Sequence, residues 1–443
     1  MPRKANKKAI WGWMAYDWAA QPYHTLLVTF IFGPYFASAV APDPVTGQAM
    51  WGYMTAIAGL VLAFCAPPLG AYADVVGPRK PWIMLFSILF VIGSFSLWLA
   101  VPSMENTTLI LVLFATGLIG VEFSQIFVNA ILPELGTKQE IGRISGSGWA
   151  LGYAGGVIAL FLMLLFLAEN ENGVTLLGTA PILGLDPEMR EGTRSVGPLT
   201  SIWYVIFMVP FFLWVPDVKP NIRTENAVSN AMRQLFKTIR ELPENISLFA
   251  YLGSSMFYRD ALNGLYAFGG IYAVGVLDWS VVQVGIFGII AAITGAIFCW
   301  VGGFLDKIFG PKRMIIVCVF VLIFVCTLII GTSRETFFSA PLAVDSTLPD
   351  KLFMMCGALI GAAGGIIQAS SRTMMVFQAN EERMTEAFGL YALSGRATAF
   401  LAPGLVALVT DLTQSQRLGI LPIIVLFLIG LVLLVWVDPK EGY

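Results

Sequence analysis

The chain has 443 residues, of which 57% are hydrophobic and 12% charged, with a formal net charge of -2. Soluble domains average about 45–50% apolar and about 25% charged residues, so this composition cannot cover a water-facing surface and lipid must solvate much of the chain. The charge balance gives no electrostatic reason to expect nucleic acid as a partner. The five cysteines (Cys65, Cys299, Cys318, Cys326, Cys356) lie in apolar runs without disulfide or metal-ligand spacing, and read as small packing residues.

A bilayer core about 30 Å thick needs roughly 20 apolar residues of helix. Windows that meet this need fall at 11–39, 49–73, 81–101, 107–131, 146–168 and 199–216, and again at 246–274, 280–304, 312–332, 351–377, 384–410 and 417–437. The basic start Met1-Pro-Arg-Lys-Ala-Asn-Lys-Lys leads straight into a first span carrying Asp17 and His24. It lacks the clean apolar stretch and cleavage site of a secretory signal, so the first span is expected to be retained. The pattern predicts an all-α membrane protein of twelve transmembrane helices.

Loop lysines and arginines choose the orientation. With the N-terminus inside, 18 of the 26 fall in inside segments, among them Arg3, Lys4, Arg79, Lys80, Lys219, Arg223, Lys312, Arg313 and Lys440. Five (Arg190, Arg194, Arg334, Lys351, Arg417) fall outside, and Arg259, Arg372 and Arg396 lie within spans. Both termini are therefore expected to be cytoplasmic. The segment 218–245 separates two sets of six spans, 1–217 and 246–443. Within it Val228, Ala231, Met232, Leu235, Phe236, Ile239 and Leu242 recur at helical spacing between Arg233, Lys237 and Arg240. This describes an amphipathic connector on the cytoplasmic membrane surface.

The two halves repeat a loop. After the second span stands Gly70-Ala-Tyr-Ala-Asp74-Val-Val-Gly77-Pro-Arg79-Lys80, and after the eighth Gly302-Gly-Phe-Leu-Asp306-Lys-Ile-Phe-Gly310-Pro-Lys312-Arg313. Both resemble the signature loop of the major facilitator superfamily, Gly-x-x-x-Asp-x-x-Gly-Arg-Lys. The second copy carries one extra residue between Asp306 and Gly310, and both insert a proline before the basic pair. The resemblance implies the major facilitator fold, two six-helix bundles, with Asp74, Arg79, Lys80, Asp306, Lys312 and Arg313 gating the cytoplasmic side. An acid at a helix end can pair with basic residues or a neighbouring helix terminus and release when bundles rock.

A narrower resemblance runs through Tyr16-Asp17-Trp18-Ala19, Asn129-Ala-Ile-Leu-Pro133-Glu134-Leu135, Gly142-Arg143-Ile-Ser145-Gly146, Gly152-Tyr153-Ala-Gly155-Gly156, Gly364-Gly365-Ile-Ile-Gln368-Ala-Ser-Ser-Arg372 and Phe388-Gly-Leu-Tyr391-Ala-Leu-Ser394-Gly395-Arg396-Ala-Thr398. These blocks resemble the bacterial UMF1 family, related to the fungal autophagy-related vacuolar amino-acid effluxers. The chain departs from that pattern at Ala20 and Gln21, where the family has Asn-Ser, and at Tyr258-Arg259-Asp260-Ala261, where it has Tyr-Asn-Asp-Gly. The resemblance implies a multi-pass protein of the cell (inner) membrane. Gly148, Gly152 and Gly156, and Gly357, Gly361 and Gly365, recur every fourth residue and predict close helix packing.

Ionisable residues inside spans cost roughly 2.5–3.5 kcal/mol each and are functional candidates. Arg259 and Asp260 lie roughly 20 Å into the seventh span, Arg396 roughly 18 Å into the eleventh, Glu122 roughly 14 Å and Asp17 roughly 9 Å in, with Arg372 similarly shallow. By the resemblance, spans 1, 4, 7 and 10 line the cavity. Substrate contacts are expected from Tyr16, Asp17, Gln21, Glu122, Gln125, Asn129, Tyr258, Arg259, Asp260, Asn263, Gln368, Arg372, Tyr391 and Arg396, with acids suited to an ammonium and arginines to a carboxylate. One of Arg259 and Arg396 is expected to pair with Asp260 or Glu122. Glu122, then Asp17, is the expected proton carrier, and His24 a candidate relay. The competing reading is that these charges only neutralise one another to staple helices, above all Asp17 and Arg372.

No nucleotide-binding loop, metalloprotease motif or nucleophile elbow is present, and one histidine excludes multi-histidine metal sites. The expectation is a secondary transporter of a small polar solute, not an enzyme, with no cofactor and no metal. Its partners would be the solute, the lipid bilayer and protons, with no nucleic acid, and it would act as a monomer. A non-transporting receptor or assembly factor on the same fold, or a uniporter or exchanger, is the alternative.

Overall fold

The computed structural model describes residues 6–170, 172–217, 226–279, 281–343 and 346–438. Arg3, Lys4, Lys219, Arg223 and Lys440 lie outside the described residues, as does the 218–225 part of the connector. The chain is almost entirely helical; a two-residue hairpin pairing Thr336–Phe337 with Ala340–Pro341 is the one sheet among the described residues.

The long helices are α1 Lys7–Val40, α2 Thr46–Val76, α3 Lys80–Leu99, α4 Thr107–Leu135, α5 Gln139–Leu167, α6 Glu191–Trp214, α7 Ile246–Leu277, α8 Ile286–Phe309, α9 Pro311–Gly331, α10 Leu348–Gln378, α11 Glu381–Thr413 and α12 Leu418–Leu434. Among the described residues ten of these are long and apolar enough to cross a membrane; α12 is shorter, and α7, with Arg259 and Asp260 at its middle, is not one of the ten. Helix α5 starts several residues earlier than its apolar window because Thr137 and Glu140 form a reciprocal capping box at its N-terminus.

Two helices depart from regular geometry. In α1, Pro22 has no N–H to offer the carbonyl of Trp18, four residues back. Trp203 Nε1 of α6 donates to that carbonyl at 3.0 Å instead, and from Tyr23 the helix continues in π geometry to Phe30 and again over Phe36–Val40. Helix α11 breaks into Met384–Ala397 and Leu401–Thr413, and Arg396 stands at the break.

Helices α1 and α5 approach where the glycines are. A Cβ at Gly148 or Gly152 would press on Asp17, and one at Gly156 on Gln21 and Thr25. Gly357, Gly361 and Gly365 lie likewise against Phe287, Ala291 and Gly295 of α8. Between the first and last six helices, a Cβ at Gly146 of α5 would strike the carbonyl of Cys299 on α8, and one at Gly303 would stand 2.7 Å from the carbonyl of Gly142.

The amphipathic helix Ala227–Glu241 divides its apolar face. Ala231 and Leu235 are buried against Ala71 and Tyr72 of α2, whereas Val228, Phe236 and Ile239 are exposed. Arg383, at the start of α11, donates to Thr238 at 2.7 Å.

Candidate functional site

Polar contacts tie the first six helices to the last six at one end. Asp74 of α2 accepts from the backbone N–H groups of Thr385 (3.2 Å) and Glu386 (2.8 Å) at the start of α11. Free N–H groups at a helix start make a natural anion site. Arg79 joins the same cluster: its Nη2 is 3.6 Å from Asp74, its Nη1 pairs with Glu134 at 2.5 Å, and its Nε donates to Thr385 at 3.0 Å. Lys80 donates its backbone N–H to Asp217 and its Nζ to the carbonyl of Phe212.

The second loop copy behaves differently. Asp306 accepts from Ser370 Oγ of α10 at 2.6 Å, and Lys312 Nζ donates to the carbonyl of Val437. Among the described residues no ion pair joins Asp306 to Lys312 or Arg313. In both copies the helix runs to the residue before a left-handed glycine, Gly77 (φ +103°) and Gly310 (φ +80°), with the basic pair beyond it; the second copy has one more helical residue between its acid and that turn.

Deeper in, Arg372 of α10 is 3% exposed and fully engaged. It pairs with Asp17 Oδ2 of α1 at 3.0 Å and donates to Ser145 Oγ at 2.9 Å, Ser145 O at 2.6 Å and Asn129 Oδ1 at 3.4 Å. Its guanidinium lies 4.6 Å over Trp13 and 5.5 Å over Trp149. The same Asn129 Oδ1 accepts from Gln125 at 3.0 Å.

At mid-height Arg396 of α11 pairs with Glu122 of α4. Their side chains stay 34% and 25% exposed, while most of the α4 residues around Glu122 are buried. This partial exposure marks an internal opening and not a packed core. The neighbouring Arg259 of α7 is half-buried. Its Cζ sits 4.2 Å over the ring of Tyr391, and its Nη1 donates to the Tyr391 carbonyl at 3.3 Å. His24 and Gln21 of α1 are half-buried nearby; His24 packs its ring edge-on against Tyr23, and Glu122 and Arg396 are its charged neighbours.

The gap between α2 and α11 widens along their length. A Cβ at Gly70 would strike Thr385, and one at Gly389 would stand 2.7 Å from the Ala66 carbonyl. At Gly59 the nearest atom is Arg396 Cδ, 3.9 Å away; at Gly52 and Gly404 nothing lies within 4 Å. Glu122–Arg396 is thus the floor of a cleft that closes toward the Asp74 end and opens toward the other.

The remaining candidates divide. Asn263, exposed, continues the Arg259 face of α7, and Gln368 is half-buried on α10. Tyr16 is buried and donates to the Val121 carbonyl at 2.9 Å, and Tyr258 is buried against Ser371 Oγ at 2.7 Å. Both are tied into packing and leave the cleft. Asp260 does not meet Arg259: it is 3% exposed, and its Oδ2 accepts from the Ala402 N–H at 2.9 Å. Successive helical residues point about 100° apart, and here that turn carries Asp260 away from Arg259 to the α11 backbone.

A family model described as "Vacuole effluxer Atg22 like" matches residues 39–443. The chain is similar to the "Uncharacterized MFS-type transporter YxiO" of Bacillus subtilis, 25% identical over 437 residues, covering 97% of this chain and 94% of that protein. It is also similar to "Autophagy-related protein 22-2" of Neosartorya fischeri, 23% identical over 332 residues, 70% of this chain but 51% of that one; the chain thus spans about half the fungal relative's length. Among solved structures, the transporter FucP in the outward conformation superposes with a TM-score of 0.68 at 14% identity over 96% of this chain and 97% of that one. The proton:xylose symporter XylE does so at 0.67 and 13% over 97% and 93%. The expected relation to major facilitator transporters and Atg22 effluxers is borne out, as is a transport role in place of an enzymatic one. The chain belongs to the Atg22-like effluxer family and has the fold of a multi-pass major facilitator transporter.

Proposed function

We propose that the chain crosses the cell (inner) membrane twelve times with both termini cytoplasmic, as two six-helix bundles (1–217 and 246–443) joined by the 218–245 connector. It acts as a monomeric secondary transporter of a small polar solute, an amino acid or related zwitterion or organic anion, by alternating access. The observation that supports this reading is the Glu122–Arg396 pair: one charge from each half, half-exposed, at the closed end of a cleft. In the proposed orientation the cytoplasmic side is latched by Asp74, Arg79 and Arg372, and the cleft faces outward.

Protons are the proposed coupling ion, carried by Glu122 and secondarily by Asp17. Each acid faces an arginine of the opposite half, so opening the cytoplasmic side separates acid from arginine. An acid left in low dielectric without its cation takes up a proton more readily. The test is flux of a solute panel (amino acids, small peptides, sugars, nucleosides, organic anions) in reconstituted vesicles, with and without a pH gradient. Glu122→Gln is expected to abolish gradient-driven flux yet keep exchange. If no solute moves with the wild type, the non-transporting alternative stands; if gradient-driven flux survives in Glu122→Gln and in Asp17→Asn, neither residue couples.

A further inference from the structure

We infer that the substrate is recognised as a carboxylate anion through Arg259 and that an ammonium group contributes nothing to its binding; this rests on the transport reading above and narrows it. Charge and free hydrogen-bonding capacity both single out Arg259. Among the described residues four acids approach the centre or its walls, and each is occupied. Glu122 is held by Arg396, Asp17 by Arg372, Asp260 by the α11 backbone and Asp74 by the N–H groups of Thr385 and Glu386. At the cleft floor no carboxylate is left among the described residues to receive an ammonium; Glu386, with Oε1 unpartnered, stands beside Asp74 at the closed end, and Asp306, with Oδ2 unpartnered, at the end of α8.

The cations are not matched in the same way. Arg396 and Arg372 have their acids, but no carboxylate lies within ion-pair distance of Arg259 among the described residues. With His24 neutral, Arg259, Arg396 and Glu122 together carry one uncompensated positive charge. A guanidinium has five N–H donors, and among the described residues Arg259 makes one side-chain bond, to the Tyr391 carbonyl. One face rests on the Tyr391 ring, itself stacked parallel to Tyr251. Gly395 supplies the adjoining wall: a Cβ there would stand 2.8 Å from Nη1 and 3.1 Å from Nη2. The guanidinium plane is therefore fixed by an aromatic ring and a bare glycine, with donors left over at the cleft floor. A planar two-oxygen anion fits such a fork, and lysine cannot reproduce the geometry.

Matched triads test this. On methyl, isobutyl and benzyl skeletons, binding to the full-length purified protein is measured by thermal shift, and exchange by counterflow in vesicles. Each triad holds the amino acid, the same carboxylate without its amine, and the amine without its carboxylate. The expected result is that on at least one skeleton the deaminated carboxylate binds as tightly as the amino acid, and the amine does not bind. Arg259→Gln should weaken that carboxylate about 10- to 100-fold, and Arg259→Lys should weaken it too, with melting temperatures unchanged in the absence of ligand. The inference is overturned if the amino acid binds more than about tenfold tighter than its deaminated partner on every skeleton that binds, or if Arg259→Gln keeps full affinity. It is also overturned if no triad member binds while another solute class is transported, an outcome that leaves the transport reading intact. If no solute of any class moves, both fall together.

Discussion

The Asp17–Arg372 pair offers the sharpest test of alternating access. Both side chains are nearly fully buried, and among the described residues the Arg372 side chain makes its polar contacts outside α10, to α1, α4 and α5 of the opposite half. Asp17→Asn leaves the Arg372 charge buried with weakened compensation. Breaking a buried pair on one side costs about 3–5 kcal/mol, and if the pair exists only in the cytoplasm-closed state that cost shifts the closed–open balance by at least about 100-fold. A native thiol reports it. Cys299 is fully buried at the α5–α8–α10 junction and donates to the Gly365 carbonyl at 3.0 Å. With exposed Cys65 replaced by serine, its reaction with a small methanethiosulfonate in detergent follows the open fraction. Asp17→Asn and Arg372→Gln are each expected to accelerate labelling strongly, and the double variant less than the two effects summed. Unchanged labelling in folded protein would mean that the pair persists in both states and is a staple, not a latch.

Three further outcomes follow from the same geometry. Asp74→Asn, which weakens the anion held at the α11 start, is expected to cut transport much more than it cuts solute binding; equal losses would assign Asp74 to folding. Gly146→Leu places a side chain where α5 meets the Cys299 carbonyl, so it should hold the latched end open and raise Cys299 labelling while lowering counterflow; wild-type counterflow would count against closure at α5–α8. An impermeant thiol reagent on intact cells should label a cysteine placed at Leu183, 86% exposed, and leave one at Ser229 unlabelled. The reverse pattern would invert the proposed topology.

Much of the architecture was legible because lipid forces long apolar helices, and the windows read from hydrophobic runs coincide with the helix cores. The irregularities had quieter signals. Pro22 marked the change in α1, but its consequence, a π segment with Trp203 capping the freed carbonyl, needs a partner 185 residues away. The capping box at Thr137 and Glu140 was readable and moves the α5 start. The pairings were legible only as alternatives: Glu122 meets Arg396 across 274 residues and Asp17 meets Arg372 across 355, and no spacing rule reaches that far to choose between partners. Two acids that local pattern grouped with basic neighbours went elsewhere, Asp306 to Ser370 and Asp260 to Ala402.

Asp260 shows why adjacency misleads, and it supports a last prediction. Arg259 and Asp260 look like an ion pair in one dimension, but the α7 backbone turns them to different walls. Arg259 reaches the cleft floor, whereas Asp260 reaches the point where α11 restarts after its break. There Leu401 N–H reaches back to the Thr398 carbonyl and Pro403 has no N–H, so Ala402 N–H is the donor that Asp260 satisfies, and a carboxylate beside it also meets the positive end of the helix dipole. Asp260 thus holds the second α11 segment in place and, through it, the break at which Arg396 stands. Asp260→Asn keeps an acceptor oxygen and should be mild; Asp260→Ala leaves the buried Ala402 N–H unsatisfied, at a cost of about 1–3 kcal/mol, read as a lowered melting temperature. Solute affinity per folded molecule should change little in Asp260→Asn. If that variant instead lost solute binding at unchanged stability, the carboxylate would belong to the cleft after all, and the charge count that singles out Arg259 would have to be redrawn with an acid available for an ammonium.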